Sequence, residues 1–281
     1  MATNKERLDV AVVRSGLAPS RELARALIMA GQVYVSERLM DKPGMMIPLD
    51  AECRLAESPA ELKYVSRGGL KLEKALDTFQ LNPTGLIALD VGASTGGFTH
   101  CLLERGALRV YAVDVGHGQL AWTLRNDSRV VVMEHTNIRY LTSLSEPIQC
   151  VVIDVSFISL RLVLPAIIPL IMPTGRNELH PRDAGAAGNT QFIAPAQPQN
   201  AMHQTSIPWV VALIKPQFEA GKTEVDRGAG VISDPAIHMR VLDELQAWMR
   251  EFTPFHIKGL TDSPIHGRDG NREFLIYLGL P

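Results

Sequence analysis

Asp90 to Thr99 reads DVGASTGGFT and stands between the apolar run LIAL (Leu86 to Leu89) and the helical pattern HCLLERGAL. A strand that runs into a small-residue turn and then a helix presents unpaired backbone N–H groups, where anions and nucleotides bind. Two nucleotide templates can be set against the turn. The dinucleotide fingerprint G-x-G-x-x-G fails, because Ala93 and Ser94 follow Gly92. The phosphate loop G-x-x-x-x-G-K-[ST] accepts Gly92 and Gly97 but meets Phe98 where its lysine belongs, so a triphosphate would lose its main cation. What survives is an acid closing a strand, a turn of small residues and a helix N-terminus. That combination suits a zwitterionic ligand with an amino-acid end, such as S-adenosylmethionine: turn amides take the carboxylate and Asp90 draws the ammonium. Asp114 closes the next strand, VYAVD, and is placed to accept bonds from ribose hydroxyls.

Outward from this turn the chain alternates. LIALDVG, VYAVDVG, VVVME, CVVIDVS and WVVALIKP read as buried strands separated by helical or loop material, the pattern of a parallel sheet covered on both faces. The tail FHIKGLTDSPIHGRDGNREFLIYLGL holds two strand-like runs about an Asp-Gly-Asn turn and is expected to end the sheet as an antiparallel hairpin. Residues 5–57 differ. RLDVAVVRSGL reads as a helix ending near Gly16, with Ser20 the N-cap and Gly31 the C-cap of RELARALIMA. QVYVS then reads as a strand, DKPG as a turn and AECRLAE as a last short strand. Thr174 to Ser206 fits neither pattern. It is rich in Pro, Gly, Ala, Asn and Gln, lacks an amphipathic period, and is expected to be a disordered surface insertion.

The 281 residues are 46% hydrophobic and 21% charged with a formal net charge of −2, as in an ordinary soluble globular protein. A nucleic-acid partner must therefore be argued from local charge. MATNKERLDV lacks the apolar stretch of a secretion signal, and Cys53, Cys101 and Cys150 form no CxxC, so a reduced, cytoplasmic protein is expected. Val151 to Met172 resembles a membrane span only superficially, because Asp154, Arg161, Pro165 and Pro169 interrupt it. Its uncharged part, Leu162 to Met172, is about half of the roughly 20 residues a span needs, so a buried strand followed by a core-facing helix is expected. The histidines show no ligand spacing with cysteines or acids, and no metal is expected.

If the donor is a methyl sulfonium, the acceptor is read from what would activate it. The fourth strand is followed by DVSF rather than [ND]PP[YFW], which does not support an exocyclic amine. Cys150 opens a buried strand and Cys101 lies within a helix, so neither suits the nucleophile of carbon methylation. A hydroxyl acceptor needs a base, or a cation that lowers its pKa. ALIKPQFEAGK places Lys215 at a strand end and Asp154 closes another strand of the same sheet, so both fall at the carboxyl edge where open α/β sheets bind ligands. Glu273, in NREFLI, comes from the terminal hairpin, and Lys71, in RGGLKLEKAL, from just before the first core strand. A lysine held between carboxylates can be tuned by burial and neighbouring charge. Lys63, Arg67, Lys71 and Lys74 cluster against Glu73, and Arg21 and Arg25 sit one helical turn apart beside Arg14. These are candidate phosphate contacts, with a solvated helical face as the alternative.

Together, RLDVAVVRSGLAPSRELARALIMAGQVYV…DKPG resembles an S4 RNA-binding module, and VSRGGLKL, DVGASTGGFT, DVGHGQLAW, LRND, DVSFISL, KPQFEAGK and NREF follow in order. On these motifs, which span essentially the chain apart from 174–206, the sequence is identified as a member of the TlyA family. That family comprises haemolysin-like proteins and ribosomal RNA ribose methyltransferases, and its catalytic part is similar to FtsJ-type 2′-O-methyltransferases. The resemblance implies an α/β fold: a Rossmann-like class I methyltransferase domain over 85–281, with a mostly parallel seven-stranded sheet and helices on both faces. A small α+β S4 domain over 1–60 precedes it, with a basic linker and the first catalytic helix over 61–84.

The resemblance also implies a Lys–Asp–Lys–Glu set on Lys71, Asp154, Lys215 and Glu273. Lys215 would assist removal of the 2′-hydroxyl proton as the oxygen attacks the methyl group in line. Asp154 and Glu273 would orient and tune it, and Lys71 would place or polarise the acceptor. S-adenosylmethionine is expected against Asp90, Gly92, Ser94, Thr95, Gly96, Gly97, Phe98, Thr99, Asp114, Val115 and Asn137. Ribosomal RNA or ribosomal subunits are expected against Arg7, Arg14, Ser20, Arg21, Arg25, Lys42 and Arg67, with cytidine as the acceptor nucleoside. Two departures stand out: VYVSER replaces the V-N-G ending of many S4 strands, and the insertion lies just upstream of Lys215. A catalytically silent RNA-binding assembly protein is the alternative, a haemolysin the least favoured reading, and a monomer the working expectation.

Overall fold

Short elements build the N-terminal part of the computed structural model, which describes residues 5–29, 31–35, 38–40, 42–55, 63–172, 208–228, 230–267 and 270–280. The expected insertion at 174–206 lies outside the described residues. β1 (Lys5–Arg7), α1 (Leu8–Arg14), α2 (Arg21–Met29), β2 (Val33–Val35), β3 (Arg38–Met40), β4 (Met46–Pro48) and β5 (Cys53–Leu55) come first. β1 pairs with β4, and β2 lies between β3 and β5, all antiparallel. The Ser20 hydroxyl accepts the Leu23 N–H at 3.3 Å, which starts α2. Gly16 and Gly31, both at φ +71°, follow the two helices in the left-handed conformation that ends them. Leu8, Ala11, Val12, Ala24, Ile28, Val33 and Ile47 form the small core. β1, β3 and β4 were not expected, because a three-residue strand offers too little alternation to register as one.

α3 (Gly68–Phe79) opens the larger part, followed by β6 (Ile87–Val91), α4 (Gly97–Glu104), β7 (Arg109–Val113), α5 (Trp122–Arg125), β8 (Val130–Met133) and β9 (Cys150–Ile153). α6 (Leu160–Ile171), β10 (Trp209–Ile214), α7 (Pro216–Glu219), α8 (Lys222–Arg227), α9 (Pro235–Phe252), β11 (His256–Asp262) and β12 (Phe274–Gly279) complete it. The strands make one seven-stranded sheet in the order β11-β12-β10-β9-β6-β7-β8. β10, β9, β6, β7 and β8 run parallel. β12 runs antiparallel between β10 and β11, so the terminal hairpin forms as expected.

The strands read as continuous apolar runs because both faces are covered. Leu89, Val91, Val151, Ile153 and Val210 pack with Val163, Leu164 and Ile167 of α6 and Leu242 and Leu245 of α9. Ala88, Val110, Cys150, Val152 and Val211 pack on the other face with Leu72, Ala75 and Leu76 of α3 and Cys101 and Leu102 of α4. Each large side chain buried this way is worth about 1.5–3 kcal/mol. Cys101 and Cys150 belong to that core, and burial pushes the Cys101 thiol up to about 12, far from a thiolate nucleophile. Among the described residues, no helix is long and apolar enough to cross a membrane.

Chain order sets the position of the site. From β6 the chain moves outward through β7 and β8, then returns to place β9 on the other side of β6. That reversal opens a crevice at the carboxyl ends of β6 and β9. The ends of β6, β7, β9 and β10 share this edge, and because β12 runs the other way its beginning does too.

α3 and α4 meet above that edge through glycines. A Cβ at Gly97 would strike Ser66 Oγ and lie 2.8 Å from Gly69 N, with backbone on the far side. Gly97→Ala is expected to lower the free energy of unfolding by about 1–3 kcal/mol, the usual cost of overpacking, measured by urea denaturation. An unchanged midpoint would show that the two helices separate freely.

Candidate active site

Four charged side chains converge at the sheet edge. Asp154 follows β9 directly and its N–H donates to the Val91 carbonyl at 2.9 Å, which locks it to the end of β6. Lys215 follows β10, one strand over. Its Nζ lies 2.6 Å from Asp154 Oδ1 as an ion pair, without an aligned hydrogen bond to that oxygen, and donates to Ser156 Oγ at 2.9 Å. Lys71 reaches in from α3 and donates to Glu273 Oε2 at 2.6 Å, both side chains being buried. Burial alone would favour loss of the Lys71 proton, but the Asp154 and Glu273 carboxylates outweigh it and raise its pKa, so Lys71 remains a cation. Burial likewise opposes ionisation of Asp154, yet Lys215 and Lys71 hold its carboxyl below the usual range.

Residues beyond the expected four complete this set. Ser156 holds Lys215, and it stands two positions past the strand-end acid, in the DVSF segment. A Cβ at Gly267 would collide with Glu273 Oε1, so only glycine lets that loop close over the carboxylate. Asn271 is buried and ties the same loop down, accepting the Ile232 N–H at 2.9 Å and donating to the Gly230 carbonyl at 2.9 Å. The sequence marks Asn271 only as part of the Asp-Gly-Asn turn and the NREF motif, and nothing local points to Gly267.

The turn after β6 lies beside the four. Asp90 is fully buried; its Oδ2 accepts the Thr99 hydroxyl at 2.6 Å, and its Oδ1 has no hydrogen-bond partner. Burial pushes its pKa up to about 7, against the opposing Thr99 hydroxyl. Gly92 (φ +87°) and Ser94 (φ +49°) turn the backbone, and a Cβ on Gly92 would collide with the Asp154 carbonyl. Asp114 fastens the turn, accepting the Ser94 N–H at 2.8 Å and the Gly116 N–H at 2.7 Å. The Thr95 carbonyl accepts the Ala121 N–H at 3.1 Å.

The other residues expected to meet the donor serve several ends. Gly96 (φ +95°) lies against Leu120 and Leu124, Gly97 admits α3, and Phe98 is buried among core residues, although Gly97 and Phe98 also border the cleft. Thr99 partners Asp90. Val115 is exposed beside Asp114, and Asn137 caps a 3-10 turn by accepting the Arg139 N–H at 3.1 Å.

Most of the expected RNA contacts form one group. Arg7 donates to both oxygens of Asp9 at 3.0 Å, Arg21 donates to Oδ2 at 2.9 Å, and Arg25 lies 3.5 Å from Oδ2. Asp9 is fully buried, and Arg7 foremost holds its carboxyl down at about 2. One buried carboxylate thus fixes three guanidiniums whose side chains reach solvent, leaving a positive excess on that face. Arg14 instead pairs with Glu6 and donates to the Leu49 carbonyl at 3.0 Å. Ser20 caps α2, and the Lys42 carbonyl closes the turn at Met45. Arg67 precedes α3 at the cleft, which Met29 and Gly31 also border. Of the basic cluster around it, Lys63 is paired with Glu73.

An FtsJ-like methyltransferase model matches residues 64–280, and an S4 domain model matches residues 6–53. The chain belongs to the FtsJ-like methyltransferase family. It is 44% identical to YqxC of Bacillus subtilis, provisionally named an rRNA methyltransferase, over 100% of this chain and 88% of that protein. Identity is 40% to the 16S/23S rRNA (cytidine-2′-O)-methyltransferase TlyA of Mycobacterium tuberculosis, over 98% of this chain and 90% of that one. A solved structure provisionally named a hemolysin, from Streptococcus thermophilus, matches with a TM-score of 0.67 at 41% identity, covering 99% of this chain and 90% of that one. The FtsJ-like match begins just before α3, so the helix that carries Lys71 belongs to the methyltransferase part.

In this FtsJ-like site the buried pair is expected to cost more when broken than when removed. Glu273→Ala leaves Lys71 without its direct partner and should lower stability by about 3–5 kcal/mol, whereas Lys71→Met combined with Glu273→Leu should recover most of that loss. Urea unfolding of the three chains checks it; equal losses in the single and double variants would contradict the pairing.

Proposed function

We propose that the protein transfers a methyl group from S-adenosylmethionine to the 2′-hydroxyl of a ribose, in cytidine of ribosomal RNA. The observation that carries this reading is the meeting of Lys71, Asp154, Lys215 and Glu273 at one sheet edge, beside the turn that follows Asp90. Ribosomal RNA and cytidine are supported by the name of the Mycobacterium tuberculosis relative, and RNA also by the S4 match.

The residues present fit the donor. A buried carboxylate oxygen without a partner, Asp90 Oδ1, calls for a cationic donor, and the ammonium of an amino-acid end supplies one. The backbone turn from Gly92 to Thr95 can take the carboxylate of that end. Asp114 orders the turn through two backbone N–H groups and keeps lone pairs for ribose hydroxyls. When bound, S-adenosylmethionine supplies an electrophilic methyl group carried on a sulfonium.

The chain's own groups prepare the acceptor. Lys215 Nζ, fixed by Asp154 and Ser156, assists removal of the 2′-hydroxyl proton as the oxygen gains the methyl group. Asp154 carries the counter-charge of the Lys215 ammonium throughout. Lys71, a lasting cation held by Glu273, donates to the acceptor oxygen and keeps it in place. Phe157 follows the cleft residue Ser156, is 90% exposed at φ +65°, and lies 5.1 Å from the Phe218 ring, which offers a nucleobase a stacking face. The arginines gathered on Asp9 are suited to phosphates.

Lys215→Ala should slow single-turnover transfer of a labelled methyl group to ribosomal subunits by about 10²–10⁴-fold, with donor affinity within about threefold of wild type. Transfer at the wild-type rate would remove Lys215 from the reaction. Asp90 provides a second check. Its pKa is raised in the folded protein, so without donor its ionisation costs stability progressively as pH rises from the ordinary carboxylate range through about 7. A bound ammonium reverses that cost, so donor affinity should fall by up to about tenfold per pH unit below 7. Calorimetric titrations between pH 6 and 8 should show this slope in the wild type and a flatter, weaker profile in Asp90→Asn. Matching slopes would contradict the assignment.

A further inference from the structure

We propose that Glu219 is the positioning residue that ties the loop bearing Asp154 and Ser156 to the segment bearing Lys215. Glu219 ends α7, the helix that begins right after Lys215, and its side chain is only 2% exposed. None of its polar contacts described here is made within its own segment. Its Oε1 accepts the Leu160 N–H at 2.7 Å, and its Oε2 accepts the Ser159 hydroxyl at 2.6 Å with Arg161 Nη1 at 3.3 Å. All three partners belong to the start of α6, on the chain leaving β9. Ser159 already caps α6 by accepting the Arg161 N–H at 3.1 Å, so a buried carboxylate from another strand's exit is more than the cap requires.

The tie matters because of what lies between its two ends. Residues 154–159 run from β9 to α6 with one end held by the Asp154 N–H on the Val91 carbonyl and the other by Glu219. Inside that span Ser156 accepts the Lys215 ammonium, and Phe157 is held at φ +65°. A bulky residue in the left-handed region costs about 1–3 kcal/mol and stays there only while its surroundings over-determine it. On the outer side Phe157 touches Phe218, the neighbour of Glu219, so both ends of that contact ride on the tied segments. Freed at Glu219, the loop can release Phe157 and carry Ser156 away from Lys215.

This inference rests on the reading of Lys215, Asp154 and Ser156 as the methyl-transfer site, and its test separates the two. In the full chain, amide hydrogen exchange at residues 156–160 should speed up at least about tenfold in Glu219→Ala and in Glu219→Asp, with exchange in β9 and β10 unchanged. Glu219→Asp is one methylene shorter and serves if the alanine variant does not fold. In single-turnover methyl transfer, Glu219→Ala should be about 30- to 100-fold slow, the scale expected for a misplacement near 1 Å. Donor affinity should stay within about threefold, and Glu219→Gln, which keeps the Leu160 bond, should recover to within about fivefold of wild type. Because Glu219 acts through Ser156, the double variant Ser156→Ala/Glu219→Ala should be no more than about twofold slower than the slower single. Rate losses that multiply, or unchanged exchange at 156–160, would overturn the tie. If wild-type protein moves no methyl group, the reading of the site fails while the exchange measurement still decides the tie.

Discussion

A lysine can be kept charged inside a protein only with carboxylates in reach, and two such lysines set the terms for the whole carboxyl edge of the sheet. Lys215 needs Asp154 and Lys71 needs Glu273, and each pair joins parts of the chain far apart in sequence. Asp154 and Lys215 leave neighbouring parallel strands. Glu273 reaches the same edge only because β12 runs antiparallel to β10, and Lys71 only because α3 lies across that end of the sheet. Asp154 is shared: its field acts on both lysines, and they in turn keep it ionised against the cost of burial. Removing Asp154 therefore weakens the field that keeps Lys71 charged, and removing either lysine weakens the field that keeps Asp154 ionised.

Close packing holds the unit against the donor-side turn. Gly92 lets the β6 turn touch the Asp154 carbonyl, Gly97 lets α4 meet α3, and Gly267 lets the hairpin loop close on Glu273. A methyl group at any of these positions would push one of these segments away from its neighbour. Residues that look like a ligand cradle in one dimension thus also fix the distance between cradle and chemistry. The same economy recurs in the N-terminal part, where one buried aspartate arranges three arginines that would otherwise repel.

Much of this was legible in the sequence because burial on both faces leaves continuous Val, Ile and Leu runs, and four of the five runs, all but VVVME, end in a residue of the proposed site. Asp90, Asp114, Asp154 and Lys215 were readable in that way. Lys71 and Glu273 were not: they pair across 202 residues, no local pattern announces a partner so distant, and their roles came from family resemblance. Ser156 and Glu219 lay within recognised motifs, yet their bonds run between segments, so spacing gave no hint of them. Gly96, Gly97 and Phe98 were assigned to the donor from their place in the turn, while the structure shows a packing duty that a linear motif does not display. The three-residue strands β1, β3 and β4 are held by tertiary pairing rather than by propensity.

The central claim is that the acceptor is a ribose oxygen, chosen because two lysines held by carboxylates meet there and no nucleophilic thiol does. The most direct test is to incubate the protein with ribosomal subunits and S-adenosylmethionine labelled in its methyl group. The RNA is then digested to nucleosides, and the labelled product is located by mass spectrometry. Label on the ribose, recovered as 2′-O-methylcytidine, is the predicted result. Label on a base would contradict the assignment of Lys71, Asp154, Lys215 and Glu273.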